Sequence, residues 1–81
     1  MVARQAKEQR LIVTFATTTA AMEWESFCVA HAVPGRLIPV PTSISAECGM
    51  CWRAPLEARE TLQGILVSLG LEGSAIYELS I

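Results

Sequence analysis

The extended run Arg36-Leu-Ile-Pro-Val-Pro41 constrains the fold of this chain more than any other segment. Its apolar residues favour a β-strand, but Pro39 has no backbone N–H to donate to a neighbouring strand. Within sheets, proline is confined to edge strands, strand starts and bulges. The sequence therefore predicts a sheet with this strand at its edge.

Three other strands are indicated by short apolar runs, at residues 10–15, 50–53 and 75–79. A first helix is predicted from Ala20 to Ala32, ended by Pro34 and Gly35. A second helix is predicted to begin at Pro55, since proline suits the first helical position, and to end at Gly70. The resulting order is β-α-β-β-α-β.

This order is typical of an α+β ferredoxin-like sandwich, a four-stranded antiparallel sheet with two helices on one face. Its sheet order is 4-1-3-2, which places the second strand at an edge, as Pro39 independently requires. With 81 residues the chain has room for one domain. We assign residues 1–9 to a flexible tail and residues 10–81 to that domain.

The first helix carries an apolar face in which residues recur at spacings of three and four. Thr18 or Thr19 is expected to cap its N-terminus. Cys28 is expected to be a core residue and His31 a packed side chain. The predicted face consists of Ala20, Trp24, Phe27, Cys28 and His31.

Composition and net charge limit the classes of partner that are expected for this chain. Hydrophobic residues make up 52% of the chain, above the usual share of a soluble domain, so a homodimer that covers the open sheet face or the last strand's edge is expected. The net charge of −2 and the absence of a basic stripe argue against nucleic acid. No signal peptide and no membrane-spanning run stands out, so the expected location is the cytoplasm.

The segment Cys48-Gly-Met-Cys51 carries the strongest chemical signal. In the predicted topology it lies at the same end of the sheet as Thr17, Thr18 and Thr19. Backbone N–H groups at a helix start favour a thiolate, the reactive form of cysteine. Gly49 would let another molecule approach Cys48 closely. Arg53 would add positive charge if its side chain reached the loop.

The same residues are compatible with other chemistries. Cys28, His31, Cys48 and Cys51 together have zinc-ligand spacings, but Cys28 would lie ~13 Å along the helix, away from the loop. The other possible zinc site is one formed by two chains, with two cysteines from each chain as ligands. A Cys48–Cys51 disulfide needs a bend at Gly49, because a strand would hold the two residues ~10 Å apart.

No Ser-His-Asp set, paired carboxylates or glycine-rich phosphate loop can be assembled from the sequence. Catalysis by these routes has no support, so a non-enzymatic role is favoured. Both cysteines of the segment could also be ordinary packing residues.

Several segments resemble the small domains described as "putative Se/S carrier protein-like". They are Leu11–Phe15, the threonine-rich cap, Arg36–Pro41, Ser43-Ile-Ser45 and Cys48-Gly49. The similarity extends over about residues 10–79. It implies that Cys48 carries sulfur or selenium.

The resemblance implies a persulfide or perselenide on Cys48, received from a donor such as a cysteine desulfurase and passed to an acceptor protein. Cys51 is the candidate resolving or accessory thiol, and no resident cofactor is expected. The alternative is a dimeric, non-catalytic binding module whose cysteine pair binds metal or acts as a thiol redox switch.

Overall fold

The computed structural model describes residues 8–41, 49–71 and 73–81. These residues form a four-stranded antiparallel sheet and two α-helices. The strands are β1 (Gln9–Thr14), β2 (Arg36–Pro39), β3 (Met50–Pro55) and β4 (Ala75–Ser80). The helices are α1 (Thr18–Ala30) and α2 (Arg59–Leu69), with a single 3₁₀ turn at Leu56–Ala58 before α2.

The sheet order is β2-β3-β1-β4, so the predicted ferredoxin-like order is confirmed. The central strand β1 pairs antiparallel with both β3 and β4. Among the described strands, β2 pairs with β3 alone and carries Pro39 at the edge of the sheet, as the missing N–H of proline requires. It ends at Pro39, two residues before the predicted end.

Both helices pack on one face of this sheet. Trp24 of α1 lies at the centre, with ring centroids 5.6 Å from Phe15 and 6.4 Å from Trp52 of β3. Truncating a buried tryptophan of this kind typically costs about 3–5 kcal/mol. The buried core cluster also contains Leu11, Val13, Ala21, Cys28, Ala54, Ala58, Leu62 and Ile65.

The sheet face away from the helices is also buried at its centre. Ile12, Thr14 and Cys51 point to that face, since they alternate with core residues along their strands. Ile12 and Cys51 are fully buried and Thr14 is 6% exposed. Dimerisation through this face stays a prediction, and the apolar area it could use excludes these three side chains.

Helix α1 begins two residues earlier than predicted, and the expected cap at Thr18 or Thr19 is wrong. The cap is Thr17, whose backbone is extended (φ −140°, ψ 160°) and whose Oγ1 accepts a hydrogen bond from the Ala20 N–H at 3.1 Å. Thr18 is already helical, so its side chain no longer faces the free N–H groups. Such a cap contributes about 1 kcal/mol.

The buried face of α1 is also rotated relative to the prediction. Ala21, Trp24 and Cys28 are buried, whereas Ala20 and Phe27 only border the core. The helix ends at Ala30, so His31 is its exposed C-cap and not part of the core face. Its ring stacks on Phe27, and its Nδ1 lies 2.8 Å from the Phe27 carbonyl oxygen.

Helix α2 begins later than predicted, because Pro55 still has an extended backbone (φ −70°, ψ 156°) and is the last residue of β3. The 3₁₀ turn then leads into α2 at Arg59. Gly70 ends the helix as predicted, in a left-handed conformation at φ 60°.

The connection from α1 to β2 packs tightly on Trp52. The Trp52 indole N–H donates to the Pro34 carbonyl oxygen at 3.1 Å. Gly35 follows with φ +124°, and a Cβ atom there would lie 2.3 Å from Trp52 Nε1. Only glycine fits this approach, because the position combines a disallowed φ with no space for a side chain.

Candidate functional site

The start of β3 and the start of α1 lie at the same end of the sheet, as the sequence predicts. Thr14, the last residue of β1, pairs with Cys51 near the start of β3. The chain then passes through Phe15 and Ala16 to the cap residue Thr17. Gly49 and the N-terminus of α1 therefore belong to one end of the molecule.

Gly49 is exposed and bends the chain as it enters β3. Its φ of +75° is a left-handed value that glycine adopts without strain. A Cβ built on it would have no heavy atom within 4 Å, so the space around it is open. Its carbonyl oxygen accepts a hydrogen bond from the Val40 N–H at 3.1 Å, which anchors the bend to the end of β2.

Cys48, the predicted carrier residue, lies outside the described residues, as do Ser43 and Ser45 of the same segment. What the structure provides is the surroundings of its covalent neighbour Gly49. Gly49 is exposed, and a cysteine that reacts with other proteins requires access of this kind.

The start of α1 supplies hydrogen-bond donors at this end. Thr17 Oγ1 satisfies the Ala20 N–H. The backbone N–H groups of Thr18 and Thr19 form no hydrogen bond within the described parts of the chain, and both residues are exposed. Unpaired N–H groups and the helix dipole make this end locally positive, which favours an anion such as a thiolate.

Cys51 has a different environment from Gly49. It is fully buried on the sheet face away from the helices, and its thiol donates a long contact of 3.9 Å to the Pro39 carbonyl oxygen. Both Cys28 and Cys51 hold thiols and not disulfides. A resolving role for Cys51 would require local opening between β2 and β3, and it stays a prediction.

Cys28 is a core residue, as predicted. It is fully buried among the apolar residues between α1 and the sheet. Burial raises the pKa of its thiol from 9.0 to about 11, because the thiolate would be poorly solvated. At neutral pH this cysteine is therefore protonated and chemically inert.

The zinc set considered from the sequence does not assemble in one chain. Cys28 lies on the helix side of the sheet, whereas Cys51 lies on the other side. His31 is exposed at the far end of α1. Residues 8–41, 49–71 and 73–81 contain no group of three or more His, Cys, Asp or Glu side chains placed to bind one metal ion.

Arg53 is not at the Gly49 end. It lies two residues beyond Cys51 on the same sheet face, directly opposite Arg36 of β2. With Arg10 and Arg36 it lines a separate cavity. Sequence reasoning missed Arg10 and Arg36, since their proximity depends on strand register and not on spacing.

A second feature missed from the sequence is an apolar groove that runs between α1 and the end of α2. It has a volume of about 570 Å³, and Thr19, Met22, Phe27 and Leu69 are among its lining residues. Met22 is 62% exposed, so the groove opens to solvent beside the start of α1.

Comparison with known proteins bears on the function of this site. Neither helix among the described residues has the length and hydropathy of a membrane span. Searches of curated proteins and of solved structures returned no significant match. A family model described as "Putative Se/S carrier protein-like" matches residues 10–78, in agreement with the resemblance noted in the sequence, and the chain belongs to this family.

Proposed function

We propose that the protein is a sulfur or selenium carrier that holds the chalcogen on Cys48. The observation that supports this most is the exposed, open bend at Gly49, at the same end of the sheet as a helix start whose first N–H groups have no partner among the described residues. Family membership points to the same class of function. Of the three cysteines, Cys28 and Cys51 are both buried, which leaves Cys48 as the candidate for exchange with other proteins.

The proposed transfer is thiol–persulfide exchange without net oxidation. The Cys48 thiolate attacks the terminal sulfur of a donor enzyme's persulfide. A new S–S bond forms at Cys48, the donor's S–S bond breaks, and the donor cysteine leaves as a thiolate. An acceptor thiolate then attacks the terminal sulfur on Cys48, which restores the Cys48 thiolate. A perselenide would follow the same steps with selenium as the terminal atom.

The N-terminus of α1 contributes to these steps by stabilising negative charge. The N–H groups of Thr18 and Thr19 and the helix dipole favour the thiolate over the thiol. They also favour the anionic persulfide that follows. A cysteine desulfurase is the donor class that we propose, acting in the cytoplasm.

A thiol reactivity experiment separates the carrier from a module in which Cys48 is packed or metal-bound. We expect iodoacetamide at pH 8 to modify Cys48 rapidly in the native protein. Cys28, with a pKa of about 11, would be only about one part in a thousand thiolate and is also buried. Peptide mapping by mass spectrometry at successive times would measure each rate.

A Cys51→Ala variant is the matched control, since removal of a buried thiol should leave the Cys48 rate unchanged. The carrier proposal is contradicted if Cys48 in the native protein reacts as slowly as Cys28. A rate at Cys48 that rises only after a metal chelator is added would favour the metal-binding alternative.

A further inference from the structure

We infer that the arginine-lined cavity near the end of β3 binds a small dianionic oxyanion, such as phosphate. This site is separate from the carrier cysteine. Arg53 lies four residues beyond Gly49 along the strand, a distance of ~13 Å in extended chain. The proposed sulfur transfer does not use Arg53, so either proposal can be wrong without affecting the other.

Strand register brings the three arginines of this cavity together. Arg36 of β2 is directly opposite Arg53 of β3. Arg10 of β1 is opposite Pro55, two positions further along β3. Paired residues point to the same sheet face, so all three side chains emerge on the face away from the helices. They line one cavity of about 280 Å³, together with Gly35, Ala54 and Pro55.

The charge of this cavity is not balanced by the described residues. Arg10 pairs with Glu8 at 3.3 Å. Within residues 8–41, 49–71 and 73–81, neither Arg36 nor Arg53 forms an ion pair. Three positive charges and one negative charge leave +2. Like charges directly opposite each other destabilise a sheet, so the Arg36–Arg53 pair has a cost that a bound anion would relieve.

Arg10 gives independent evidence that the cavity lacks a hydrogen-bond acceptor. Its Nε atom is buried and has no hydrogen-bond partner in the part of the chain that the structure describes. A buried donor left unpaired is unfavourable, and buried polar atoms are usually paired with protein, water or ligand. An oxyanion in the cavity that Arg10 lines would supply an acceptor.

The class of ligand follows from charge and size. Guanidinium groups bind phosphate and carboxylate oxygens through paired, charge-assisted hydrogen bonds. A net charge of +2 favours a dianion over a monoanion. The cavity of about 280 Å³ is below the range of about 300–1,000 Å³ that drug-sized ligands occupy, so a phosphate-sized group fits better than a nucleotide.

The test is a titration of the full chain with inorganic phosphate, followed by ¹H–¹⁵N NMR at constant ionic strength. We expect saturable shifts of the Gly35 and Ala54 amides. Arg36→Gln and Arg53→Gln should each weaken binding at least about tenfold, since each removes charge-assisted hydrogen bonds. Arg59→Gln is the matched control, because Arg59 pairs with Glu78 outside the cavity. Its affinity should stay within about twofold of the unmodified protein.

Absence of saturable binding, or an equal loss of affinity in Arg59→Gln, would overturn the proposal.

Thermal unfolding distinguishes an anion-binding role of Arg36 from a purely structural one. Without phosphate, Arg36→Gln should melt at the same temperature as the unmodified chain or higher, because a like-charge pair is removed. At one phosphate concentration, phosphate should raise the melting temperature of the unmodified chain and of Arg59→Gln by similar amounts, and that of Arg36→Gln by much less. A lower melting temperature of phosphate-free Arg36→Gln would instead mark the arginine as structural and overturn the proposal.

Discussion

Replacing Cys48 with serine is expected to abolish loading of the protein with sulfur from a persulfide donor. A serine hydroxyl is not ionised at neutral pH and does not form a stable bond to sulfane sulfur, whereas a cysteine thiolate does. The experiment incubates each variant with a cysteine desulfurase and ³⁵S-cysteine, then measures the label that remains on the desalted, unreduced protein.

Two control measurements are needed to interpret the labelling result. Cys51→Ala should keep most of its label, since Cys51 is buried and is not the proposed carrier. Circular dichroism should show that Cys48→Ser retains its fold. Equal labelling of Cys48→Ser and the unmodified protein would eliminate Cys48 as the carrier, and loss of label only in Cys51→Ala would move the site to Cys51.

Gly35→Ala is expected to destabilise the protein by about 3 kcal/mol or more. The new Cβ would lie 2.3 Å from Trp52 Nε1 and 2.5 Å from the Arg53 carbonyl oxygen. Relief would require the loop to leave Trp52 and to break the indole hydrogen bond to Pro34. A domain of this length has a total stability of roughly 4–12 kcal/mol, so the variant could lose most of it. Urea unfolding followed by circular dichroism measures the change.

Gly64→Ala is the matched control for this substitution. Gly64 lies inside α2, and a Cβ there would have no heavy atom within 4 Å. Alanine in a helix interior is more stable than glycine by about 1 kcal/mol. The two variants should therefore shift the unfolding midpoint in opposite directions. A Gly35→Ala midpoint within error of the unmodified protein would contradict the packing described for this loop.

The fold was predictable because several local signals agree. Pro39 requires an edge strand, and the element order independently places that strand at the edge. Gly70 ends α2 as expected, since glycine adopts the left-handed conformation that its position needs. Element boundaries were less predictable. Three successive threonines follow β1, and only the backbone shows that Thr17 is the one with extended dihedral angles.

A candidate site could be predicted from the sequence only where its functional residues are neighbours along the chain. The positive φ at Gly49 is one that glycine adopts without strain, although the sequence required a bend there only for a Cys48–Cys51 disulfide. The arginine cavity does not follow from the sequence, since a shift of one residue in strand register would move Arg36 or Arg53 to the other face. The contact of Gly35 with Trp52 likewise joins residues far apart in sequence.

The most direct test of the carrier proposal is the intact mass of the full chain after exposure to a persulfide donor and removal of the donor, before and after reduction. We predict one added sulfur atom per chain that is lost on treatment with a thiol reductant and maps to Cys48 in the unreduced digest. A protein whose mass stays that of the bare sequence, while Cys48 remains open to alkylation, would contradict the proposal.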